Sequence, residues 1–316
     1  MFDFVSIIFD NDTEINLLKV QLFSFTFVNL NIINQIYILF NDAQNKNSTF
    51  MEKYNNDIMQ FCPISLREKI KVIFISDLIN LNEKKFKTSW FSQQFVKLYI
   101  SKIIKSKYYI VLDSKNHFIR NINKDTFMVE DKIILYYAVH NAKLLDYYKN
   151  CFTYFGIQCL DDYNPYKSPL HIQTTTPFMF ITKECIDLIS YVEAKENVEF
   201  YDFFCYSQKY TEFFFYFAWL CFIKRQNNEY IYIKRHIDNI IIGKADPNTC
   251  IWNTWNHKQN IINTCNPSLF SLSRKCVSVI DNSYKQNIKD FYNRIYNNKL
   301  INNEINKILF NCPILE

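Results

Sequence analysis

Glycine is almost missing from this 316-residue chain, which has only Gly156 and Gly243. A Walker loop or a G-x-G-x-x-G turn needs several glycines to bring backbone N–H groups up to a phosphate, and neither can be written here. That excludes P-loop nucleotidases and ordinary Rossmann dehydrogenases. A phosphate bound by this protein has to be met by side chains, helix N-termini or a metal. No C-x-x-C pair exists either. The 10 cysteines are scattered, and Cys185, Cys205 and Cys221 keep apolar company, so they read as reduced core residues of a cytoplasmic protein rather than zinc ligands. The longest apolar run, residues 213–223, falls short of the roughly 20 residues that cross a bilayer. The first residues, MFDFVSIIFDND, carry acids and no basic leader, unlike a signal peptide. Charge is not strongly one-sided, at +5.

What is present is a globular composition, 49% hydrophobic and 21% charged, long enough to bury a large core. The 30 Phe and 22 Tyr accompany abundant Asn, Ile and Lys. They reflect compositional bias as much as any stacking surface. Residues 4–9 read as a strand closed by Asp10-Asn11-Asp12, and residues 15–27 follow with helical spacing. Residues 35–40 form a second strand ending in Asn41-Asp42, and 71–75 a third ending in Ser76-Asp77. Three strands, each stopping at an acid and separated by helical stretches, predict a parallel βαβ sheet with a polar carboxyl edge.

The most informative stretch is 108–118, YYIVLDSKNHF. Five residues suited to a buried parallel strand end abruptly in Asp113-Ser114-Lys115-Asn116-His117. In open α/β sheets the ligand lies just beyond the carboxyl ends of the strands, so these side chains form a candidate site. A helix over 90–105 leads into this strand, with Gln93, Lys97, Ser101 and Lys105 on a polar stripe. Seven lysines and no acid lie between Lys84 and Lys107. Most read as solvated; Lys97 stands out because it clusters with Gln93 and Gln94.

Further strands are expected at 133–139, 178–181 and 230–233, with a helix at 183–192. Residues 201–210 read as a loop before an aromatic helix at 213–224, with Thr211 as cap and Glu212 in the first turn, where the helix dipole favours a carboxylate. Residues 246–266 form a polar loop, and 284–310 are helical. With no linker and no repeat, the expectation is one domain over 1–283 and a C-terminal helix over 284–316 on the body or on a partner.

Three chemistries compete for Asp113-Ser114-Lys115. A D-x-K metal nuclease needs a further acid some 10–20 residues upstream, and none occurs between Lys84 and Leu112. A non-catalytic nucleic-acid-binding or interaction protein would use the lysine-rich segment, but acids at the strand ends oppose a phosphate backbone. The third is glycosyl transfer. The block WFSQQFVKL at 90–98, the strand ending at Asp113 and the later TEFFFY at 211–216 resemble GT-A glycosyltransferases, in particular an uncharacterised bacterial family of glycosyltransferase-like proteins. The likeness runs from about residue 4 to about 224.

That resemblance implies a three-layer α/β fold with a mostly parallel, Rossmann-like central sheet. It also implies an enzyme that moves a sugar from a nucleotide-diphosphate donor to a saccharide acceptor, in capsule or lipopolysaccharide synthesis. Such a protein is expected in the cytoplasm or peripherally at the inner face of the membrane, with no nucleic-acid partner. Donor-binding candidates are Asp10, Asp12, Asp42, Gln94, Lys97, Asp113, Lys115, Asn116 and His117, and the catalytic candidates are Glu212, Asp113 and Lys115. Glu212 is the candidate general base, with Asp202 behind it. His140, His171, His257 and Arg274 are weaker candidates. The family's strand ends in D-x-D, whose carboxylates hold Mn²⁺ or Mg²⁺; here the second position is Lys115. An ammonium repels a divalent ion but pairs directly with phosphate oxygens, so the expectation is no required cofactor, or a cation held weakly by Asp113.

Overall fold

The computed structural model describes residues 1–9, 11–41, 49–79, 88–136, 144–157, 174–224, 231–234, 241–242, 268–272, 277–278 and 280–310. Its centre is a sheet with strand order β3-β2-β1-β4-β6, formed by Ile70–Phe74 (β3), Ile33–Phe40 (β2), Phe2–Ile8 (β1), Tyr108–Asp113 (β4) and Phe178–Ile181 (β6). The first four run parallel, and β6 joins β4 antiparallel. This is a mixed α/β fold with a mostly parallel central sheet, as the strand-then-acid pattern predicts. The reading of 108–112 as a buried parallel strand predicts it at the centre of the sheet; the middle strand is instead its neighbour β1, all seven of whose residues are buried.

Side chains alternate along a strand, so register decides which helices each strand faces. Asp3 pairs with Tyr109 and Ser6 with Leu112. Ser6 donates to Gln21 of the helix Asp12–Ser24 (α1) at 2.7 Å. Tyr109, on the opposite face, donates at 2.9 Å to the Lys97 carbonyl of the helix Ser89–Tyr99 (α2). The sheet is therefore sandwiched between two helical layers. The α1 side is completed by the short strands Asn116–Phe118 (β5) and Leu269–Ser271 and by two C-terminal helices, Asn282–Tyr296 and Lys299–Phe310. The α2 side carries Thr182–Glu196, Phe200–Ser207 and Glu212–Lys224. Lys132–Tyr136 pairs in parallel with Ile231–Lys234 in a small separate sheet.

Three expectations are corrected here. Residues 200–207 are helical rather than a loop, because Phe200 and Phe204 bury against Phe95 and Phe203 against Tyr154 and Tyr210. The stretch expected as a single helix over 284–310 divides at Asn297, whose left-handed backbone ends the first of two helices. The polar stripe is solvated only in part: Lys105 is exposed and Gln93 half-buried, while Ser101 is buried along with Lys97, because helices cover that stretch. The loop 246–266 lies outside the described residues. Among the described residues, no helix is long and apolar enough to cross a membrane.

Candidate functional site

Asp113 is the last residue of β4 and pairs with Ile7 near the end of β1, while Ile8 pairs with Phe40 at the end of β2. Asp113 shares its sheet face with Tyr109, so its carboxylate points toward α2. There it meets Lys97, whose Nζ is 3.8 Å from Oδ1. Lys97 also reaches Glu212, 2.9 Å from Oε1, at the start of the aromatic helix. On its outer side Asp113 Oδ2 is 2.7 Å from Lys115 Nζ. Four charges thus alternate in sign from the interior outward, with side chains 1% exposed at Glu212, 6% at Lys97, 26% at Asp113 and 37% at Lys115.

These groups set one another's protonation. Burial opposes the charge on Asp113, yet the ammoniums of Lys115 and Lys97 hold its carboxyl well below the usual carboxylate range. Burial would neutralise Lys97, but Glu212 and Asp113 outweigh it and raise its pKa. For Glu212 burial prevails over Lys97, and its carboxyl lies above the ordinary value. The ring of Phe213 stands 4.9 Å from the Lys97 ammonium and adds a cation–π contact.

The turn carrying Lys115 is clamped from the other side of the sheet. Gln21 donates to the carbonyls of Asp113 at 2.7 Å and Asn116 at 3.1 Å. The Asp113 N–H donates to Asn116 Oδ1 at 2.8 Å, and the Leu272 N–H donates to the Lys115 carbonyl at 2.9 Å. Ser114 donates to Glu14 in the first turn of α1. Asn41, just past β2, donates to Ser92 of α2 at 2.7 Å and holds that helix against the carboxyl edge.

The structure brings together Asp113, Lys115, Lys97 and Glu212. Asn116 and His117 turn inward and are corrected from ligand contacts to internal ties. Asn116 donates to Ser271 at 2.7 Å. His117 is wholly buried, its Nε2 is 3.2 Å from the Leu17 carbonyl and 3.1 Å from that of Ser114, and its Nδ1 is 2.6 Å from Tyr292 Oη. Carbonyls only accept, so Nε2 carries the proton and Nδ1 accepts from the tyrosine. Burial pushes this imidazole down to about 3, against the pull of the two carbonyls.

Gln94 is buried one turn from Lys97 and donates to the Trp90 carbonyl at 3.2 Å. Asp12 is exposed in the first turn of α1, and Asp202 is half-buried in the helix Phe200–Ser207. Asp10, Asp42, His140, His171, His257 and Arg274 lie outside the described residues. Sequence reasoning passed over Gln21 and Glu14. The signal for Gln21 was an amide set between Val20 and Leu22 in an apolar helix, where a buried polar group demands partners.

Among the described residues, the donors at this edge do not suit a divalent ion. Where the D-x-D pattern has a second carboxylate, an ammonium sits against the first, and among the described residues no three His, Cys, Asp or Glu side chains gather at metal-binding distance.

Several solved structures are similar in outline. Mouse xyloside xylosyltransferase 1, apo form, is 11% identical with a TM-score of 0.43, over 86% of this chain and 97% of that one. The galactosyltransferase LgtC, in complex with donor and acceptor sugar analogues, is 11% identical with a TM-score of 0.44, over 90% and 94%. The apo bifunctional glycosyltransferase WbbM is 11% identical with a TM-score of 0.45, over 99% of this chain and 50% of that one. No curated protein matches the sequence. A family model does match, over residues 11–291, and by that extent the chain belongs to a family of unknown function, DUF6492.

Proposed function

We propose that this protein is a GT-A-type glycosyltransferase that takes a sugar from a nucleotide-diphosphate donor and passes it to a saccharide acceptor, as in the building of surface polysaccharides. The observation that carries the reading is the Lys115 ammonium, 2.7 Å from Asp113 at the carboxyl end of a parallel strand. That is where open α/β sheets bind ligands. A diphosphate brought there carries at least two negative charges and gains more as the bond from the anomeric carbon breaks. Lys115 supplies a compensating charge in place, without a glycine nest and without a metal. The N-terminal turn of α1, which follows β1 at the same edge, adds a favourable dipole. Asp113 is left to aim the ammonium and to accept hydrogen bonds from ribose or sugar hydroxyls.

A thermal-shift panel of UDP- and GDP-sugars, with CMP-sugars as monophosphate controls, tests this. Stabilisation by a diphosphate sugar, retained in EDTA, is expected. Absence of a shift with every diphosphate sugar sinks the reading.

A further inference from the structure

We infer that Lys97 is a reserve counter-ion for Asp113, held in place by Glu212, which lets Lys115 leave Asp113 for the donor's diphosphate. The inference rests on the donor reading above. The two ion pairs at Asp113 differ in what holds them. Lys115 and Asp113 meet where both are partly exposed, and such pairs exchange partners at little cost. Lys97 and Glu212 meet in the interior, and separating them would strand a buried charge, which is strongly unfavourable. Lys97 therefore stays while Lys115 moves. Its distance to Asp113 Oδ1, 3.8 Å, is too long for a hydrogen bond and short enough for attraction. Once Lys115 turns to a phosphate, Asp113 would otherwise be an unpaired carboxylate facing an anionic ligand. The Lys97 ammonium, already beneath it, keeps it ionised.

This gives Glu212 a role other than the expected base. One of its carboxylate oxygens is taken by Lys97, and the other is buried with no hydrogen-bond partner among the described residues. An acceptor hydroxyl does not reach it in this arrangement. Glu212 and Lys97 are positioning residues that act through Asp113. The charged groups facing Asp113 among the described residues are Lys115 on its own turn, Lys97 on α2 and Glu212 on the aromatic helix. Glu14 of α1 is linked to the same turn through Ser114.

The test is calorimetric titration at pH 6 with the diphosphate sugar that most stabilises the wild type, run in two buffers of different ionisation heat. The phosphates of such a donor are diesters with no titration near pH 6, so proton uptake reports on the protein. The wild type should bind without taking up a proton. The Lys97→Met, Glu212→Gln double variant keeps the buried pair neutral and so folds. It should bind about tenfold more weakly or worse, and take up a substantial fraction of a proton as Asp113 titrates. Lys97→Arg should restore both properties. A folded double variant that binds like the wild type with no proton uptake overturns the inference and leaves the donor reading standing. A wild type that binds no diphosphate sugar removes the donor reading itself, and the inference with it, before any variant is made.

Discussion

At the carboxyl edge of the sheet Glu212, Lys97, Asp113 and Lys115 follow one another in alternating sign; on the outer side of α1, Asp57, Lys19, Glu304 and Lys307 do the same. In the second series Lys19 Nζ lies 2.5 Å from Asp57 and 3.3 Å from Glu304, and Lys307 lies 2.7 Å from Glu304. Its middle is buried, with side chains 4% and 5% exposed at Lys19 and Glu304, and both ends, Asp57 and Lys307, are 50% exposed. It ties α1 to the last helix, and every charge is matched within the protein. The first series is sealed at Glu212 and opens at its Asp113–Lys115 end, beside the strand ends. The same pattern of charges makes a staple when both ends reach solvent; sealed at one end, it leaves a single open end at the strand edge, the arrangement that the proposed donor site uses.

The strongest challenge to that contrast is Lys19→Met. It leaves Glu304 buried beside a single exposed lysine, and should cost about 3–5 kcal/mol of stability in urea unfolding. Donor binding by whatever remains folded should be unchanged; a parallel loss of binding would mean the two series are not independent.

Where the regions meet stands His117, between the turn after β4 and Tyr292 of the C-terminal helices. Its pKa is depressed in the fold, to about 3 from an ordinary 6.5. The unfolded chain therefore binds the extra proton first as pH falls. The stability contributed by the neutral imidazole is full above about 6.5 and is lost toward pH 3, at up to about 1.4 kcal/mol per pH unit. Urea unfolding from pH 7 to pH 4 should show this slope in the wild type and a flatter one in His117→Gln. Equal slopes would take the imidazole out of the acid response.

Lys115→Ala should weaken diphosphate-sugar binding by roughly 10- to 100-fold, on the order of 1.5–3 kcal/mol, with Mg²⁺ present or absent. Its effect on unfolding should stay below about 1 kcal/mol, since the pair it breaks is partly exposed. Calorimetry with and without EDTA separates the cases: if chelation abolishes wild-type binding while Lys115→Ala preserves it, a metal carries the charge instead. The smallest effect belongs to Lys307→Ala, the outer lysine of the staple. A change under about 0.5 kcal/mol in stability and none in binding is expected, since Lys307 is half exposed and the buried Glu304 keeps its pair with Lys19. A Lys307→Ala protein impaired in binding would erase the distinction between the two open ends.

Much of the scaffold could be read directly from residue order. The strands β1, β2, β3, β4 and β6 lie within two residues of their expected positions, because each is a short apolar run cut off by polar residues, buried on both faces in all but the edge strand β3. Asp113 at a carboxyl edge follows from the same pattern. The helix Phe200–Ser207 was hidden because its aromatic residues show no polar face, and its partner Phe95 is more than a hundred residues away.

The residue types at the site were determined by the sequence alone: an acid and a lysine two apart at a strand end, a lysine on the preceding helix, and a glutamate at the start of an aromatic one. Which of them touch, and which are sealed, was decided only by tertiary structure. Helical periodicity marks Lys97 as lying on a polar stripe but cannot say that a second helix covers the stripe and brings Glu212 to within 2.9 Å. The turn motif lists Asn116 and His117 beside Lys115, yet only the strand exit and the C-terminal helices turn the first two inward and leave the third at the edge. Burial and charge pairing depend on neighbours distant in the chain, and a linear pattern carries no record of them.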